Sequence, residues 1–173
     1  MKLAITPSCV KAWLGIGVLF AITNLMVGCG GGGGGGGAPA GPRAWVETQP
    51  ASPGARTQAY LMISDAAGVA GLDFDLQFNT NSLSVSSVTK TTVTSNFTMA
   101  YNNQPAGSLA VSMARATGLA GGTGNQALLD IEFVVDQAAQ HGTSIPLAVS
   151  LDVYNVTPSR ISVQVEDNEI TVQ

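Results

Sequence analysis

Several stretches of the chain alternate strictly between apolar and polar residues. In GLDFDLQFN, Leu72, Phe74, Leu76 and Phe78 alternate with Asp73, Asp75 and Gln77. In LLDIEFVVD, Leu129, Ile131, Phe133 and Val135 oppose Asp130, Glu132 and Asp136. In SIPLAVSLDVYN, Ile145, Leu147, Val149, Leu151 and Val153 repeat the pattern. A period of two predicts strands with one buried and one wet face. Shorter cases are Leu109/Val111/Met113, Ile161/Val163/Val165 and Ile170/Val172, with Tyr60, Met62 and Gln58 marking an earlier strand. Leu83, Val85 and Val88 change phase, which predicts a bend or bulge. Turn residues break the pattern regularly, as at Pro53-Gly54, Asn79 to Ser82, Asn102 to Gly107, Gly118 to Gly124 and Thr157-Pro158-Ser159. No twelve-residue stretch carries a helical stripe, although VDQAAQHG could make a single turn. About nine short strands with one apolar face each predict two sheets packed face to face. The expected fold is all-β, a nine-stranded two-sheet sandwich with jelly-roll topology.

The first forty residues differ from the rest. Lys2 and Lys11 precede an apolar run from Ala12 to Gly28, broken only by Thr23 and Asn24. This is the layout of a secretory leader, and the run lacks a basic stop-transfer flank. Its end, Met26-Val27-Gly28-Cys29, resembles the lipobox of bacterial lipoproteins, although Met26 stands where leucine is commonest. The resemblance implies cleavage before Cys29 and a diacylglycerol on its sulfur. Cys9 would leave with the leader, so Cys29 would have no disulfide partner. Acyl chains contribute about 0.8 kcal/mol per buried methylene, and two or three give stable anchoring. Gly30 to Gly37 then form a flexible coil without side chains to pack. From Gly30 to Pro42 the root-mean-square span is roughly 20 Å. The run is no phosphate-binding loop, since no strand precedes it and no Lys-Ser/Thr closes it. The expected organisation is a leader over 1–28, a lipidated cysteine and tether over 29–43, and one domain over 44–173. The protein is thus expected to be exported and lipid-anchored at the cell envelope. Gly30 replaces the Asp that marks inner-membrane retention in some bacteria, which favours the outer membrane or cell surface.

Charge narrows the partners. Without Lys2 and Lys11, five basic and eleven acidic residues remain, a net charge of −6. No basic cluster exists, which argues against nucleic acid. An acidic face suits a basic protein or divalent cations, and also keeps an exported protein soluble.

The order of the segments resembles the cohesin domain. SPGARTQAYLMI supplies the Pro-Gly turn before the second strand, and VAGLDFDLQFN matches the family's V-A-G-x-D-F-x-L-x-F strand. NSLSVSSV, FTMAYNNQPAGSLAVSMA and TGLAGGTGNQALLDIEFVV follow in the family's order. The resemblance spans about Trp45 to Gln173. It implies a non-catalytic module that binds a dockerin, a calcium-loaded module on the partner, through one sheet face. Asp73 falls on a family contact position; Gly71 falls where the family has Asn. Tyr101 or Asn102 falls near a polar-aromatic contact, and Arg115 near a position often acidic in cellulosomal members. Half the contact set is therefore altered, and the partner need not be a standard dockerin. Independently of the family, Asp73, Asp75 and Gln77 share the exposed side of one strand. The expected partner-binding residues are Asp73, Asp75, Gln77, Tyr101, Asn102 and Arg115.

Catalytic machinery is not expected. The sole histidine, His141, lies in a Gln-His-Gly turn, and no nucleophile elbow occurs. One histidine and no free cysteine in the domain leave no zinc site. Asp73 and Asp75, roughly 7 Å apart on one open strand, do not flank a substrate. Glu166-Asp167-Asn168-Glu169 reads as a hairpin turn, and only weakly as calcium ligands. No cofactor is expected. Two other functions compete: a carbohydrate-binding module, for which only Tyr101 and Tyr154 look free as sugar platforms, and a structural role in envelope assembly. The 173 residues hold no second cohesin or dockerin repeat, so the chain is not expected to be a multi-module scaffold; a monomer is expected.

Overall fold

The computed structural model describes residues 41–122 and 124–173. The expected leader, Cys29 lipidation and glycine tether lie outside these residues.

The described chain is all-β: β1 (Arg43–Thr48), β2 (Arg56–Ile63), β3 (Gly71–Gln77), β4 (Leu83–Lys90), β5 (Thr98–Asn102), β6 (Ser108–Ala114), β7 (Gln126–Val135), β8 (Ser144–Tyr154), β9 (Arg160–Ile161), β10 (Gln164–Glu166) and β11 (Asn168–Thr171). One sheet runs β10-β1-β2-β7-β4, the other β11-β8-β3-β6-β5, with β9 added to the end of β8. The path crosses repeatedly between the sheets, as a jelly roll does. Every pairing between the named strands is antiparallel except β1 with β10. The inner faces supply one core, including Leu61, Ile63, Leu72, Phe74, Leu76, Leu129, Ile131, Phe133 and Leu147.

Eleven strands stand where nine were expected, because the C-terminal region is cut into short pieces. Ile161, Val163 and Val165 do not form the single strand that their alternation predicts. They split between β9, which pairs with β8, and β10, which pairs in parallel with β1. The following tetrad is no hairpin. Asp167 separates β10 in one sheet from β11 in the other. Its Oδ1 accepts the Val149 N–H at 2.8 Å. Asn168 Nδ2 donates to the Val46 carbonyl at 2.6 Å. These side chains close a corner between sheets; no group of three metal-ligating residues occurs among the described residues.

In β2 the buried positions are Thr57, Ala59, Leu61 and Ile63, while Tyr60 and Met62 are half-exposed on the other side. The expected phase is therefore reversed. AYLMI is apolar on both faces, so alternation cannot choose between them. VDQAAQHG makes turns and no helix, with Asp136 Oδ1 accepting the Ala138 N–H at 2.7 Å. The phase change in β4 is borne out, since its register against β7 slips between Val85 and Ser87.

β7 carries a second irregularity. Leu61 faces Leu129 but Met62 faces Ala127, leaving Leu128 as an extra residue. Carbonyls displaced from a ladder must find other donors or cost stability. The segment after β4 supplies them: Thr91 Oγ1 donates to Ala127 O at 2.6 Å and Thr94 Oγ1 to Leu128 O at 2.7 Å. Thr94 is wholly buried. Thr94→Val keeps its shape but leaves the Leu128 carbonyl unpaired. It is expected to cost about 1–3 kcal/mol, read by denaturant unfolding; an unchanged midpoint would show that water replaces the hydroxyl.

Candidate functional site

The outer face of the β8-β3-β6 sheet is built in register rows. Asp152, Asp73 and Ser112 face one another across the three strands, with Ala100 of β5 beyond. The next row is Ser150, Asp75, Ala110 and Asn102. Then come Ala148, Gln77 and Ser108. Between the polar groups the surface is paved with small residues, so backbone lies close beneath and a flat partner element can approach.

Asp73, Asp75 and Gln77 thus share one face as expected, and Asn102 joins them across Ala110. Tyr101 does not. It pairs with Val111, a core-facing position, so it belongs to the opposite side of edge strand β5, where it is 50% exposed. Arg115 lies just past β6 and joins the face from its end. Its guanidinium carbon is 5.5 Å from the Phe97 ring centroid, and Nη2 donates to Thr117 Oγ1 at 2.7 Å.

Asp73 and Asp152 are like charges directly opposite one another, an arrangement that destabilises a sheet. Two neighbours offset it. Ser112 Oγ donates to Asp73 Oδ1 at 2.7 Å, and Arg160 pairs with Asp152. Asp73 and Asp75 are exposed, so both carboxylates remain available to a partner.

At the Gly71 end the face deepens into a groove of about 460 Å³. Its floor is Gly71, flanked by Ala114 and Tyr154, with Val156 and Pro158 on one lip and Arg115 on the rim. The start of β3 is locked on both sides: Ala70 N–H donates to Tyr154 O, and Arg115 N–H donates to Ala70 O, both at 2.8 Å. The glycine-rich segment after Arg115 folds back against Gly68. A Cβ on Gly118 would stand 3.0 Å from the Gly68 backbone, which explains glycine there. Tyr154, which the sequence marks only as a free aromatic for sugar, lines this groove, and Val156 goes unmarked in the sequence because the Thr157-Pro158-Ser159 stretch reads only as a turn.

The other sheet's outer face holds a different group. Trp45 of β1 faces Met62 of β2, and Tyr60 is the next outward residue of β2, facing Glu47 and Asp130. Trp45 and Tyr60 were not expected to be free, yet both are half-exposed there. Tyr60 donates its hydroxyl to Gln58 Oε1 at 2.7 Å. Beside them, partial burial, and then the charge of Glu132, push the Asp130 carboxyl above the usual carboxylate range. His141 is exposed in its turn.

The described residues thus form a two-sheet sandwich with a flat, small-residue outer face that carries two exposed carboxylates. The cohesin-domain family profile matches residues 45–172, and the chain belongs to the cohesin domain family. No curated protein sequence matches it. Among solved structures, it is similar to a non-cellulosomal cohesin from the hyperthermophilic archaeon Archaeoglobus fulgidus, at 19% identity and TM-score 0.66, covering 78% of this chain and 92% of that one. The sixth cohesin of scaffoldin B from Acetivibrio cellulolyticus, solved with a Cel5 dockerin, shows 16% identity and TM-score 0.67 over 78% of this chain and 100% of that one. A type I cohesin–dockerin complex from Clostridium thermocellum, with the OlpA cohesin, shows 12% identity and TM-score 0.67 over 77% and 99%.

Proposed function

We propose that this domain is a non-catalytic receptor for a dockerin-like module, held at the cell envelope by a lipid on Cys29 and serving polysaccharide degradation. The carrying observation is the outer face of β8-β3-β6, where Asp73, Asp75 and Gln77 stand exposed among small residues. Family membership and the relatives solved with dockerins support the same reading. Hydroxyl groups of a packed partner helix, and the free N–H groups of its first turn, are the complement of such a face, and a few anchors would carry the affinity. The leader-like start, the lipobox-like Met26–Cys29 and the glycine run support export, anchoring and a tether.

A second reading has its own observation. Trp45, Tyr60 and Met62 are contiguous on the opposite sheet, amid Glu47, Gln58 and Asp130. Aromatic faces flanked by hydrogen-bonding groups suit the apolar side and the hydroxyls of a sugar chain.

One capture experiment separates the two. The full chain is immobilised and exposed to lysate of the native organism, then washed with calcium or with a chelator. The receptor reading expects a retained protein bearing a calcium-binding module, released by chelator. Retention only on polysaccharide beads, lost in Trp45→Ala, would replace it with the carbohydrate reading. Retention of neither would count against both readings.

A further inference from the structure

Three features of the groove at the end of the receptor face bear on its occupant. The first is the hole at Gly71. A Cβ there would meet nothing closer than the Met113 carbonyl oxygen at 3.4 Å and Tyr154 Cβ at 3.7 Å, which is ordinary contact. Neither crowding nor a left-handed backbone demands glycine at this position. The space above it is open because no side chain of this domain fills it, and it lies within a cavity of about 460 Å³.

The second is an apolar lip held in place. Val156 is 55% exposed. Its loop is pinned by Asn155, whose Oδ1 accepts the Thr157 N–H at 2.9 Å, the Thr157 hydroxyl at 2.8 Å and the Ser159 N–H at 3.0 Å. An exposed apolar group on a pre-ordered loop costs little further entropy on binding.

The third is a cation without an acid. Arg43, Arg56 and Arg160 pair with Glu166, Glu132 and Asp152. Arg115 has no carboxylate partner among the described residues, although the domain is acidic. Phe97 and Thr117 hold its guanidinium at the rim of the same groove.

The groove's lining is largely apolar around Gly71, with the Asp73 carboxylate also on it, already bonded by Ser112. An apolar hole beside an oriented guanidinium that has no acid of its own is complementary to an apolar side chain with a carboxylate close by. We infer that the partner module inserts a Leu-sized apolar side chain over Gly71, against Tyr154 and Val156, and sets a carboxylate on Arg115. This rests on the receptor reading for the partner being a protein, and adds the residue chemistry that the partner must present. Arginine recognises a carboxylate through a planar fork, so the contact selects orientation as well as charge.

The test uses lactam-bridged helical peptides in which the apolar and charged residues are one turn apart: Leu with Glu, Leu with Lys, and Ser with Glu. Each is titrated into the isotopically labelled full chain. The readout is the Gly71 amide, the Val156 methyls and the Arg115 Nε–H by NMR. The Leu/Glu peptide is expected to shift all three signals. The Leu/Lys and Ser/Glu peptides should bind at least tenfold more weakly. Gly71→Leu should abolish the shifts at Val156, and Arg115→Glu should reverse the preference to Leu/Lys. Arg115→Glu leaves the groove floor intact, so it decides the matter if Gly71→Leu proves misfolded by its unfolding curve. Equal response to Leu/Glu and Leu/Lys, or no response to any peptide, would overturn the inference. A dockerin-like module captured equally well by both variants would overturn it while leaving the receptor reading standing. Groove binding by the Leu/Glu peptide without any calcium-dependent capture would do the reverse.

Discussion

Phe133→Ala is expected to destabilise the domain by about 3–5 kcal/mol, lowering the thermal midpoint by roughly 10–20 °C. Phe133 is wholly buried on β7, which lies between β2 and β4. Its ring meets Phe78 edge-on, with centroids 5.4 Å apart and planes at 78°. Phe78 follows β3 of the other sheet, so the pair ties the two layers together. Truncation removes the transfer energy of the ring and leaves a cavity that two hydrogen-bonded sheets cannot readily collapse into. It also forfeits the aromatic contact, itself about 0.5–1.5 kcal/mol. Calorimetry decides it. A loss below about 1 kcal/mol would mean that the sheets close over the gap, and that the interlayer packing is far more plastic than native interiors normally are.

Asp73→Ala should do the opposite: little to the fold and much to binding. Asp73 is exposed, and its side-chain bond comes from the equally exposed Ser112. Its removal also relieves the like-charge pairing with Asp152, so stability should stay within about 0.5 kcal/mol. Affinity for the captured partner should fall by about thirtyfold or more, as for a central anchor worth about 2 kcal/mol or more. Titration calorimetry with the purified partner measures it. Wild-type affinity in Asp73→Ala, with Asp75→Ala equally silent, would move the interface off this face.

Much of the sandwich was legible because its central strands have one wet face. In β3, β6 and β8 the alternation is nearly unbroken, and all three lie in the interior of one sheet as the pattern requires. Legibility failed where that contrast vanishes. β2 is apolar on both sides because its outer face carries Tyr60 and Met62, so alternation alone points to the wrong phase. The C-terminal segment defeated the pattern for another reason: β9, β10 and β11 are two to four residues long and change sheets between one another. Too few residues lie in any one strand to set a period.

The site divides similarly. Asp73, Asp75 and Gln77 follow from period two within a single strand. Asn102 reaches the same face through cross-strand register, whereas Tyr101, one residue earlier, is turned away by that same register. The groove was invisible. It needs the start of β3, the end of β6 and the loop after β8 to meet, and Gly71 on its lining has no side chain to signal it.

The parallel pairing of β1 with β10 has a mechanical consequence. Any load carried by residues before Arg43 enters the domain through β1. That strand is hydrogen-bonded on both flanks, to β2 from Ala44 to Thr48 and to β10 from Arg43 to Trp45. It cannot be peeled from an edge one bond at a time. Pulled along its length, it yields only when two ladders slide together, so the point at which tension arrives is also a clamp.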